Sequence, residues 1–134
     1  EIMQHTGADN EVWSFGEENC NTLVKYIQFR EAMRPYTRKL MEEAHTLGRP
    51  VMRPMFYEFP EQKCCWDMKE QYMYGSDMLV AYEREVYLPE GSKWTSVHDG
   101  SVYEGGQTIQ VQAALDVIPV FLRDDKLPEL KGLI

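Results

Sequence analysis

Chemistry in this chain of 134 residues would have to come from few side chains: three histidines (His5, His45, His98), three cysteines (Cys20, Cys64, Cys65) and several acidic pairs. The histidines are scattered, with no second His or Cys at ligand spacing, so no metal site is expected. His45 closes a helical pattern, where a cation is favoured, and His98 precedes Asp99-Gly100 and reads as a turn residue. Cys64 and Cys65 fall on a short helical pattern and point in different directions. One of them is expected to be buried as a small hydrophobe, and neither has the paired base that a nucleophile needs. Asp9 with Glu11, Glu17 with Glu18, and Glu42 with Glu43 are the acidic pairs. Adjacent helical residues point about 100° apart, so the last two pairs read as solvated surface rather than as an acid/base couple. Arg53 sits in an apolar run and needs a partner, so a structural ion pair is expected there.

The balance of 22 acidic against 14 basic residues gives a net charge of −8, and no run of Lys or Arg offsets it. Nucleic acid is therefore not an expected partner. Hydrophobic residues at 43% and charged residues at 27% place the chain among globular proteins rather than disordered ones. No apolar stretch approaches the ~20 residues that span a bilayer. The longest candidate, residues 115–122, is interrupted by Asp116 and Pro119. Neither a membrane span nor a signal peptide is expected. The first residue is Glu1 rather than Met, which reads as a piece of a longer product. Three cysteines cannot all pair within one chain, and adjacent ones rarely bridge, so a reducing compartment, the cytoplasm, is expected.

Two textures divide the elements that must position these groups. From Glu17, the residues Leu23, Tyr26, Ile27, Met33, Tyr36, Leu40, Ala44 and Leu47 recur at helical spacing. Pro35 inside that stripe predicts a kink, or two helices with Pro35 in the first turn of the second. Gly48 predicts a left-handed cap and Pro50 a stop. Residues 51–59 read as a buried strand, and residues 61–74 as a short helix with Trp66 and Met73 facing in. Beyond Asp77 the period becomes two. Strands are predicted at 78–82, 85–88, 93–97, 101–103, 107–112 and 117–122, separated by turns at 89–91, 98–100 and 104–106. Hairpin spacing of six strands argues for a small antiparallel β-sandwich, with Trp94, Tyr103 and Phe121 in its core. Past Arg123 the pattern fades into a charged tail.

Several ordered motifs resemble glycoside hydrolase family 31. They are Arg34-Pro-Tyr, Gly48-Arg-Pro-Val-Met-Arg-Pro-Met-Phe-Tyr-Glu-Phe-Pro60 and Gln71-Tyr-Met-Tyr-Gly-Ser-Asp-Met-Leu-Val-Ala81, followed by Arg84-Glu-Val-Tyr-Leu-Pro-Glu-Gly-Ser-Lys-Trp94, Tyr103-Glu-Gly-Gly-Gln107 and Ile118-Pro-Val-Phe-Leu-Arg123. The resemblance implies a retaining α-glycosidase of the α-glucosidase or α-xylosidase type, with a (β/α)₈ barrel followed by β-sandwiches. The expected fold class is then an α+β fragment: the last αβ unit of a (β/α)₈ barrel, with residues 51–59 as its final strand, followed by a small antiparallel β-sandwich. The implied boundaries are 1–62 for the barrel end, 63–76 for a connecting helix, 77–125 for the proximal sandwich and 126–134 for a tail.

Retaining glycosidases need two carboxyl groups about 5–5.5 Å apart. In the resembled family both are Asp residues on earlier barrel strands, and nothing in this chain matches either motif. No catalytic residue is therefore assigned, and the piece alone is expected to be inactive. The resemblance implies one substrate contact, His5, whose imidazole offers a donor and an acceptor to sugar hydroxyls. Its surroundings depart from the family pattern, because Thr6 intervenes before Gly7. The connector after Ala81 is also short, Tyr82-Glu83 alone. No cofactor is implied. The expected partners are an α-glycoside or oligosaccharide substrate and the rest of the barrel, with self-association of the isolated piece through its uncovered apolar face. The alternative is a non-catalytic sandwich module that binds carbohydrate or docks to a protein.

Overall fold

The computed structural model describes residues 11–83, 85–111 and 117–134. A 3₁₀ turn at Val12–Phe15 leads into α1 (Glu17–Ala32) and α2 (Arg34–Leu47). The break falls where Pro35 predicts it: Met33 lies between the helices and Pro35 occupies the first turn of α2, where its missing N–H costs nothing. Gly48 caps α2 in the left-handed conformation, φ 67° and ψ 19°, and its N–H returns to Ala44 O.

Eight short strands follow, with a one-turn helix α3 (Met55–Glu58) and a 3₁₀ turn at Lys63–Trp66 inserted after the first. They are β1 (Met52–Pro54), β2 (Gln71–Tyr74), β3 (Met78–Ala81), β4 (Glu85–Leu88), β5 (Lys93–Ser96), β6 (Val102–Glu104), β7 (Gln107–Gln110) and β8 (Val120–Arg123). Six form one sheet in the order β1-β2-β3-β8-β5-β6, and β4 pairs with β7 in a second. Every pairing is antiparallel.

Side-chain alternation makes the large sheet the middle of three layers. Met73, Leu79, Ala81, Trp94 and Phe121 face the small sheet, where they pack with Val86 and Leu88 of β4. Met78, Val120 and Leu122, their chain neighbours, and Val97 just past β5 face the other way and pack with Phe29, Tyr36 and Leu40 of the helices. Burial on both faces explains why 78–81 and 120–122 read as unbroken apolar runs. Tyr36 anchors the helices to the β2–β3 hairpin by donating to Tyr74 O at 3.0 Å and accepting from Asp77 N at 3.1 Å. Gly75 in that hairpin has φ +65°, and a Cβ there would lie 2.2 Å from Tyr36 Oη, so no other residue fits.

Three expectations change. The helix expected over 61–74 is a 3₁₀ turn followed by strand β2: Gln71 and Met73 are buried by strand alternation, and Trp66 is exposed. Residues 51–59 do not form a barrel strand. β1 is three residues long, pairs antiparallel with β2, and yields to α3 after Pro54. The charged tail is docked instead, with Leu130 and Ile134 buried against the helices and Gly132 N donating to Val97 O at 2.6 Å. The short connector after Ala81 is also accounted for, since β3 and β4 lie in different sheets and need no hairpin between them.

Candidate functional site

His5 and Asp9 lie outside the described residues. The described chain begins beside them, and the first turn fixes how it enters α1. Ser14 N donates to Glu11 O at 2.8 Å, and the Asn19 side chain reaches back to Phe15 O at 2.9 Å. Gly16, at φ 86° and ψ 162°, then redirects the backbone into the helix. This geometry leaves Trp13 74% exposed and Phe15 48% exposed, beside a shallow cavity of about 330 Å³ that Phe15, Asn19, Thr22 and Leu23 line. Glu17 and Glu18 are exposed, as the solvated-surface reading requires, and Glu11 is exposed as well.

Arg53 meets several partners at once. It is buried at 4% exposure, donates from Nε to Pro50 O at 2.7 Å, and pairs with Glu58 of α3 and, at 3.6 Å, with Glu43 of α2. Its guanidinium also lies 5.6 Å from the Tyr57 ring centre. The expected structural ion pair is present, and Glu43 is drawn into it while Glu42 stays exposed.

Two glutamines carry polar functions that hydrophobic patterning does not reveal. Gln71, on β2, is buried and bonds both ways to the backbone of Tyr87, donating to its carbonyl at 2.7 Å and accepting from its N–H at 2.9 Å. It thereby completes a strand edge in the small sheet from the large one. Gln62 does the same for Glu90, with bonds of 3.2 and 3.3 Å, and also accepts from Tyr87 Oη at 2.9 Å. Burial, then the neighbouring Cys64 thiol, pushes the Tyr87 phenol up to about 12, so it remains a neutral donor.

The cavity beside this pair measures about 470 Å³ and is lined by Cys64, Glu70, Glu83, Glu85, Tyr87 and others. Its rim is acidic. Among the described residues no group of three or more His, Cys, Asp or Glu could hold a metal ion. Cys65 is wholly buried and Cys64 exposed, and burial pushes the Cys65 thiol up to about 12, away from nucleophilic use. His45 is exposed in the last turn of α2, and His98 is exposed with Nδ1 2.9 Å from Ile134 O. Trp94 is fully buried, its indole N–H donating to Pro89 O at 3.0 Å. Phe121 meets Tyr103 edge-on at 6.1 Å. Those rings form the sandwich interior and offer no exposed carbohydrate platform. The described residues thus build two packed cores around the large sheet.

Comparison with known proteins shows the family to which this architecture belongs. Residues 48–127 match the family model described as the glycosyl hydrolase family 31 C-terminal domain. Human neutral alpha-glucosidase C is 36% identical over 132 residues, which is 92% of this chain and 14% of that protein. A family 31 α-xylosidase from a soil metagenome, solved with xylose, superposes with a TM-score of 0.89 at 42% identity, covering 94% of this chain and 20% of its own. A Flavobacterium johnsoniae family 31 dextranase solved with glucose gives a TM-score of 0.80 at 36% identity, covering 88% and 15%. The chain spans about a seventh of the length of the curated relatives it matches. The matched region begins just before β1, which agrees with the pairing of that strand into the sheet.

Proposed function

The chain belongs to glycoside hydrolase family 31, and from that premise we propose that it is the C-terminal part of a retaining α-glycosidase that hydrolyses terminal α-linked sugars. The carrying observation is the family match over residues 48–127 in a chain that covers so small a share of its relatives. The reaction needs two carboxyl groups about 5–5.5 Å apart. In this reading both belong to the part of the parent that precedes Glu1, and of the present residues His5 alone meets the sugar while the rest are structural.

The helices α1 and α2 complete the wall of the barrel as its closing helices. α1 supports this role, because apolar side chains occupy more than one of its faces. Leu23 and Tyr26 are half-buried while Val24 and Ile27 stand exposed. A helix apolar on several sides is one that is covered on several sides. His5 would donate to and accept from hydroxyls of the sugar being cleaved. No cofactor or metal enters the proposal. The three free thiols favour a reducing compartment, the cytoplasm.

The test is hydrolysis of a panel of chromogenic α-glucosides and α-xylosides by the longer protein. Turnover with retention, reduced at least about tenfold by His5→Ala through loss of sugar hydrogen bonds, is the expected result. A longer protein inactive across the panel overturns the reading.

A further inference from the structure

A third cavity lies between the helices and the large sheet, on the sheet face that turns away from β4 and β7. It measures about 370 Å³ and draws its lining from α1, α2, β2, β3 and β8. That volume is in the range of pockets that take small organic molecules. Phe29, Met33, Met78, Val80 and Val120 give it an apolar wall that joins the helix-side core.

Few polar groups border that wall. Thr37 Oγ1 and Tyr74 Oη lie 3.0 Å apart and share one hydrogen bond. Two hydroxyls that share a single bond keep one hydrogen to donate elsewhere. Burial, then the neighbouring Tyr82 phenol, pushes Tyr72 up to about 12, so this lining phenol stays neutral. Arg30 is the only charged side chain among the described lining residues. It stands exposed in the last turn of α1, and no described carboxylate pairs with it. Arg34, one turn further on, is already engaged by Glu31 at 2.6 Å. α2 starts directly after α1, so the negative end of one helix dipole abuts the positive end of the next. The local charge is then set by Arg30.

We propose that this cavity binds a small carboxylate with an apolar body, the body lying against Met33, Met78 and Val80 and the carboxylate meeting Arg30. The planar guanidinium suits a carboxylate, which it can grip with two parallel N–H donors. A sugar is the poorer occupant, because an apolar wall with so few donors leaves most of its hydroxyls unpaired. Such a ligand would touch both helices and the large sheet at once, and by mass action it would hold those layers together. The proposal goes beyond the glycosidase reading and does not depend on it.

Titration of the 134-residue chain, labelled with ¹³C at its methionine methyls, with 4-phenylbutyrate tests this by NMR. Met33 and Met78 line the cavity and their resonances should shift saturably, while those of Met52, exposed at the sheet edge, and Met68, beside the acidic cavity, stay in place. The uncharged analogue 4-phenylbutanol should bind at least about tenfold more weakly, since it lacks the charge-assisted bonds. Arg30→Gln should weaken the acid about tenfold as well, and its exposure leaves the fold intact, whereas Arg34→Gln should change affinity by less than about twofold. Val80→Phe, which fills the cavity, should abolish the shifts. Absence of shifts at Met33 and Met78 up to about 10 mM acid overturns the proposal. Equal affinity for acid and alcohol, or full affinity in Arg30→Gln, also overturns it by reducing the site to apolar adhesion. Maltose moving the same two resonances overturns it by assigning the cavity to a sugar.

Discussion

The two halves of this molecule treat apolar surface in opposite ways. From β2 to β8, large side chains are enclosed: Trp94, Leu79, Leu88 and Leu122 have no exposure, and alternation sends successive residues into two different cores. From Trp13 to Trp66, by contrast, lie ten of the thirteen large apolar side chains that are exposed among the described residues. The first half has a finished packing problem and the second has an unfinished one. A segment that encloses its apolar side chains and a segment that leaves many of them exposed can thus sit next to each other in one chain.

Substitutions should divide along the same line. The largest effect is expected in the enclosed half. Trp94→Ala removes a fully buried indole between the sheets and should cost about 3–5 kcal/mol, read as a lower urea midpoint. Gln71→Ala comes next. It strips the Tyr87 N–H and carbonyl of their partners and should cost about 1–3 kcal/mol, with faster amide exchange in β4. A loss no greater than that of an exposed glutamine would show that the clasp between sheets does not hold.

Alkali should act through two groups that the open half buries in the cores. Burial first, tempered by the Asp77 N–H, pushes Tyr36 from 10.0 up to about 12, and burial with the neighbouring Cys64 moves Cys65 from 9.0 up to about 12. The unfolded chain therefore loses these protons at lower pH than the folded one. Stability is full below about pH 9 and declines as the pH rises toward 12. Tyr36→Phe should flatten the upper part of that decline in denaturant titrations between pH 8 and 11.5. The smallest effect belongs to the exposed side chains of the open half. Val24→Ser with Ile27→Ser should shift the stability of the 134-residue chain by less than about 0.5 kcal/mol per site, because neither side chain is enclosed. In the longer protein the same pair should cost several times more, and equal costs in both would erase the distinction between the halves.

Much of the enclosed half was legible because turn chemistry punctuates it. Residues 89–91, 98–100 and 104–106 separate strands β4 to β7 as expected, and Pro35 and Gly48 mark the helix ends. β2 was not legible. Four residues, Gln71 to Tyr74, are too few to show a period, and the inward Gln71 disguises the alternation. The docked tail was missed because Leu127, Leu130, Leu133 and Ile134 are mixed with charged residues and show no regular period, and only the helices opposite explain their burial. The glutamine clasps left no signal in sequence, since their partners are backbone atoms of residues 16 and 28 positions away. Family membership was legible from ordered motifs, whereas His5, the one expected sugar contact, lies outside the described residues.

The central claim is that this chain supports a reaction centre located elsewhere in its parent. Incubating the purified 134-residue chain with chromogenic α-glucoside and α-xyloside tests it most directly. The account predicts no release above the buffer rate at any protein concentration, and release that rises in proportion to the amount of this chain would contradict it.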